Sequence, residues 1–162
     1  MIIISNYRKE QDEKGVIKIL SEEKCICPIC SGELKALGRR KRVVINAEGN
    51  KEKLSIRRLR CTICRKIHHE LPDYVIPYKR HCVETIENII NGNTEDVCCD
   101  FVTEYRIRSW WVSILLYFEK ILASLKIKYE MEFSAKTAPR EIIRALVNSN
   151  LWVHTRSAMM ST

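Results

Sequence analysis

The sequence predicts an α+β protein: a β-hairpin clasped by two cysteine knuckles, followed by a helical domain. Two observations predict the first half. Cys27-Pro28-Ile29-Cys30 and Cys61-Thr62-Ile63-Cys64 share one spacing, and two strand-length runs joined by a turn lie between them. A third observation predicts the second half: past Pro77 the apolar period changes to three and four residues, as on an amphipathic helix. Two residues between cysteines let both sulfurs turn to one point. Two such pairs make the tetrahedral S4 cage that Zn2+ takes in structural sites. Cys27, Cys30, Cys61 and Cys64 are therefore the expected ligands of one structural Zn2+. The fold class becomes an N-terminal zinc ribbon followed by a helix-turn-helix-like domain, divided at residues 1–77 and 78–162.

Taken in order, Ile2 to Ile4 reads as a short strand, followed by a polar turn. Gly15 to Leu20 is too short an apolar run to separate strand from helix. Cys25 is a second choice to Cys27 as ligand, because Pro28 presets the turn of the knuckle and Gly32 can supply a positive φ. Leu34 to Asn46 and Lys53 to Arg60 read as the two hairpin strands, with Ala47-Glu48-Gly49-Asn50 as their turn. A third strand ends at Pro72, and Asp73 to Ile76 is an extended connector. His68 or His69 stands as an alternative to one cysteine ligand.

Lys79 to Ile90 carries Cys82, Val83, Ile86, Ile89 and Ile90 on one side, and Asn91-Gly92-Asn93 stops that helix. Thr94 caps a short helix through Cys99, and Thr103 caps a long one over about Glu104 to Leu125. One of Trp110 and Trp111 is expected in the core and the other half-exposed. Lys126 to Lys136 reads as a connector. Pro139 opens a last helix that Asn148-Ser149-Asn150 ends, and the tail from Leu151 to Arg156 is apolar enough to dock. His81, Cys82, Cys98 and Cys99 form a second metal set only if two helices bring them together; buried thiols explain them as well.

The chain has 162 residues, 46% apolar and 30% charged, which excludes a disordered or membrane-spanning composition. Ile2 to Ile4 is too short for a signal-peptide core, so a cytoplasmic protein is expected, its eight cysteines serving as metal ligands and free thiols. Net charge is +8, and Lys24 to Arg80 alone holds 15 Lys and Arg against 5 Asp and Glu. Such clustering suits a polyanion. Arg39, Arg40, Lys41 and Arg42 on one strand and Arg57, Arg58 and Arg60 on the other are the expected phosphate contacts. Arg106 and Arg108, at the start of the long helix, would read sequence in a major groove. Like charges facing across a hairpin repel, so metal or bound phosphate must offset them.

Several runs carry a resemblance: Cys27-Pro28-x-Cys30-x-Gly32, Arg57-Arg58-Leu59-Arg60-Cys61-x-x-Cys64, His68, Leu71-Pro72-Asp73, Pro77-Tyr78-Lys79-Arg80 and Ile107-Arg108-Ser109-Trp110. The chain resembles a family of small bacterial proteins with a domain of unknown function. That family is similar to the N-terminal zinc-ribbon and helix-turn-helix region of insertion-sequence transposases. The resemblance implies double-stranded DNA binding without catalysis of its own. The family pattern has glycine after each knuckle's second cysteine; Ser31 and Arg65 stand there, which implies a strained turn at the second knuckle.

Three function classes follow. The favoured one is a zinc-stabilised DNA-binding protein of transposase-related or regulatory type, with a homodimer allowed. An RNA-binding or protein-interaction adaptor is the alternative. A metal-dependent nuclease would need grouped carboxylates, and the acidic residues here are scattered.

Overall fold

The computed structural model describes residues 1–95, 97–129 and 137–153, apart from the side chains of 122–125 and 127–129. Six strands, β1 (Ile2–Ile4), β2 (Tyr7–Gln11), β3 (Val16–Ser21), β4 (Leu34–Ile45), β5 (Lys51–Cys61) and β6 (Ile67–Pro72), precede three helices, α1 (Val83–Asn91), α2 (Phe101–Tyr129) and α3 (Pro139–Asn148). The strands form one mixed sheet, ordered β1-β6-β5-β3-β2, with β4 on β5. The pairs β1–β6 and β3–β5 are parallel, and the rest antiparallel.

The fold is therefore not an N-terminal zinc ribbon followed by a helix-turn-helix-like domain. The predicted hairpin exists as β4 and β5, but β5 is an interior strand. β4 takes the whole of one β5 edge. The other edge is divided: Lys53 to Ser55 pair with β3, and Arg58 to Arg60 pair with β6. A two-stranded hairpin alone is marginal in water, and recruiting β3 and β6 covers the apolar side chains of β5.

Successive strand residues point to opposite faces, and β5 uses both. Leu54 and Ile56 are buried on one face, Leu59 and Cys61 on the other. The buried face thus changes at Arg57-Arg58, beside a β-bulge in β4 between Ala36 and Gly38. Gly38 adopts φ +135° there, a conformation L side chains avoid.

The helix-turn-helix fails at its middle element. Residues 94–99, Asp96 apart, are not helical; a stretch this short does not repay the cost of helix nucleation. Asp100, not Thr103, caps α2: its carboxylate accepts from Thr103 N–H and Oγ1, each at 2.9 Å. The helix then runs 29 residues from Phe101, through the start of the expected connector, whose residues 130–136 lie outside the described ones. Trp110 and Trp111 are both buried, so the expected half-exposed partner is not found.

Sheet and helices share one core. It runs from Ile2, Ile3 and Ile4 through Leu54, Ile56 and Leu71 to Ile86, Ile114 and Ile143. β1 sits at the sheet edge, where the Asn148 side chain of α3 completes its hydrogen bonding. Its Oδ1 accepts from Ile3 N–H at 2.7 Å and its Nδ2 donates to Ile3 O at 3.0 Å. Arg140 of α3 pairs with Glu87 of α1 at 2.7 Å. Trp152 rests 6.4 Å from Trp110, ring to ring, and Leu151 and Val153 pack against the core beside it; residues 154–156 of the expected tail lie outside the described ones.

Candidate functional site

The two knuckles meet where β5 ends. Cys27 N–H donates to Gly32 O, Ser31 N–H to Cys27 O, and Cys61 N–H to Lys66 O. These turns bring the Sγ atoms of Cys27, Cys30, Cys61 and Cys64 within 4.8 Å of one another. Cys27–Cys64 is 3.6 Å and Cys30–Cys61 3.5 Å. Metal–sulfur bonds of about 2.3 Å in a tetrahedron require sulfurs about 3.8 Å apart, so the cage fits a metal ion bound by four thiolates. Four cysteines leave no coordination position open for water.

The thiols titrate together. Burial opposes ionisation of Cys61, but hydrogen bonds from the N–H groups of Cys64 and Ile63, with the Cys30 and Cys64 thiols, bring its pKa down to about 6. The Lys66 N–H favours the Cys64 thiolate. Burial and the three other thiols outweigh it and push that pKa to about 12. Cys61 thus ionises more readily than Cys64, and a bound cation would release the protons that remain.

Glycine at the first knuckle has a different role from the expected one. The left-handed residues are Ser31 (φ 57°) and Arg65 (φ 62°), one after each knuckle. Both knuckles, not the second alone, hold a non-glycine residue in a conformation costing about 1–3 kcal/mol. Gly32 instead makes room: a Cβ there would lie 3.0 Å from Cys61 Sγ and 2.9 Å from Ile63 Cδ1.

His68 is buried next to the cage, its Nε2 3.4 Å from Cys27 Sγ and its Nδ1 3.5 Å from the Met1 amine. The four-cysteine group does not include it. Nor does it include Cys25, whose thiol burial and the Glu70 carboxylate raise to about 11. Among the described residues, His81, Cys82, Cys98 and Cys99 form no second group.

The nine predicted basic residues divide between surfaces. Arg39 and Arg57 face each other across β4 and β5, on the sheet face that buries Leu59. Glu70 offsets their repulsion: Arg57 grips it with Nε at 2.8 Å and Nη2 at 2.7 Å. Arg39 donates to Ser55 Oγ and to the carbonyls of Ile19 and Ser55. Both arginines are structural, and Lys41 lies exposed on their face. Nothing in the sequence marks Glu70 as their partner, because β6 register alone brings it there.

Arg40, Arg42, Arg58 and Arg60 share the opposite face, opposite Ile56, Leu54, Gly38 and Lys35 respectively. His69 pairs with Arg58 on the same face. Its pKa lies below the ordinary value through burial and then the charges of Arg40, Arg58, the Met1 amine and Arg42. Arg42 donates to the carbonyls of Ile76 and Lys79, while Arg40 and Arg60 are exposed. Arg106 and Arg108 are exposed on α2, but two residues apart on a helix they do not share a side.

No helix among the described residues is long and apolar enough to cross a membrane. No curated protein and no solved structure matches the chain. One family model does, from Cys27 of the first knuckle to Trp110 of α2, a span holding all four clustered cysteines and the basic face. Its description makes no mention of transposases. With just over half of its residues matched, the chain belongs to the family described as a domain of unknown function, DUF6431.

Proposed function

We propose that this is a zinc-stabilised, non-catalytic DNA-binding protein in which the sheet itself, not a recognition helix, meets the duplex. Zn2+ is the ion that four thiolates at tetrahedral spacing favour, and its role is structural. The observation that carries the reading is the face with Arg40, Arg58, Arg60 and Lys35, none of which forms an ion pair among the described residues. Uncompensated charge of this density suits phosphates.

The test is binding of a fluorescent DNA duplex as salt is raised. With four phosphate contacts, the logarithm of affinity falls against that of salt with a slope of about −3 to −4. Arg40→Ala with Arg58→Ala weakens all sequences alike and removes about two units of slope. Arg39→Ala lowers the melting temperature instead. A flat salt profile refutes the reading; tighter binding of single-stranded RNA than of duplex moves the ligand to RNA.

A further inference from the structure

A second basic feature lies off the sheet. Between the segment Lys79-Arg80-His81 and the first turns of α2 is an open cleft of about 330 Å³. Lys79, Arg80, His81 and Arg106 line it with Thr103, over an apolar floor that includes Ile86 and Ile107. The segment is held rigidly against the end of β4: Ile45 N–H donates to Arg80 O at 2.7 Å and Cys82 N–H to Ile45 O at 2.9 Å. Arg42 supports it from beneath through Lys79 O at 2.9 Å.

Three cationic side chains therefore converge with a histidine, and among the described residues none of the three forms an ion pair. Lys79 is half-buried, its ammonium 4.1 Å above the Trp110 ring. Burial alone lowers its pKa to about 8. His81 Nδ1 is buried with no hydrogen-bond partner among the described residues. The Asp100 carboxylate acts on His81, but it is engaged in capping α2 through Thr103. A buried, unpaired cation is costly unless something neutralises it. An anion with several acceptor oxygens answers all of these groups at once.

We propose that this cleft binds a phosphate group, with room beside it for the remainder of a mononucleotide. Its volume lies at the lower end of the small-molecule range and exceeds the need of a bare ion. Phosphate oxygens meet Lys79 and His81, Arg106 closes over the mouth, and the apolar floor takes a base or ribose. The site stands apart from the DNA-binding reading: the cleft can fill while the sheet face binds nothing, and the reverse.

The test follows the His81 imidazole by NMR in the zinc-loaded full chain. The titrants are inorganic phosphate, adenosine monophosphate, and a short duplex with either a 5′-phosphate or a 5′-hydroxyl. Saturable shifts of the His81 signals with phosphate and with the nucleotide are expected. Lys79→Met, which keeps an apolar stem over Trp110, and Arg106→Gln, on the exposed mouth, should each weaken binding at least about tenfold with unchanged melting temperature. Shifts from the 5′-phosphorylated duplex alone among the DNAs assign the phosphate to a nucleic-acid end. Shifts from the nucleotide but neither duplex assign it to a free ligand. No response of His81 to phosphate or nucleotide overturns the proposal, as does a response that both variants retain in full. Duplex binding with a normal salt slope alongside a silent His81 removes this site and leaves the DNA reading in place.

Discussion

Gly32 shows how narrowly the cysteine cage is fitted. Its missing Cβ is the space that lets Cys61 Sγ approach the first knuckle, at what would otherwise be 3.0 Å. Gly32→Ala must displace either Ile63 or the sulfur, so metal affinity should fall about tenfold or more, the usual cost of disturbing groups behind a ligand. Competition with a chromophoric chelator measures this. Cys61→Ser should go further: loss of stoichiometric metal and of cooperative unfolding, since metal binding and folding are one equilibrium in such sites. Ser31 and Arg65 show the opposite tolerance. A left-handed turn is kept without glycine in both knuckles, and the cage closes around it.

β5 holds the fold together because it satisfies three neighbours with eleven residues. β4 covers one edge, β3 and β6 divide the other, and its buried face changes from Leu54 and Ile56 to Leu59 and Cys61. This change separates the arginines: Arg57 is turned to Glu70, and Arg58 to the basic face. Glu70 is 2% exposed while Arg57 keeps about a third of its side chain in water. Glu70→Ala should therefore destabilise by about 3 kcal/mol, the low end for breaking a buried pair. Arg57→Met should cost less, and the double variant less than the sum of the two, all measured by urea unfolding. Cysteine spacing, both hairpin strands and the helix over Ile86 and Ile89 were legible in the sequence. β2 was not, because Tyr7-Arg8-Lys9-Glu10-Gln11 is a polar run paired only with β3. The long α2 was mistaken for a recognition helix because an apolar period identifies a helix without saying which surface it covers. It covers this sheet's own core with Ile107, Trp110, Trp111 and Ile114.

The molecule as a whole carries two basic features, each with a histidine, and these histidines shape its response to acid. His69 and His81 have pKa values below their ordinary 6.5, burial first in both cases. The unfolded chain therefore binds protons that the folded one refuses. Stability should hold above about pH 6.5 and decline as pH falls below it. Melting temperature against pH at saturating metal checks this; His69→Gln with His81→Gln should flatten the decline in part, and the remainder belongs to His68, whose pKa burial also lowers, and to thiolate protonation. The joint between Asn148 and Ile3 adds a constraint of timing. A ribosome releases β1 well before α3, yet its outer hydrogen bonds wait for a side chain made 145 residues later. Until then a nascent β1 presents a raw edge, open to strand addition by any neighbour, and closure of that long loop sets a slow, late step in maturation.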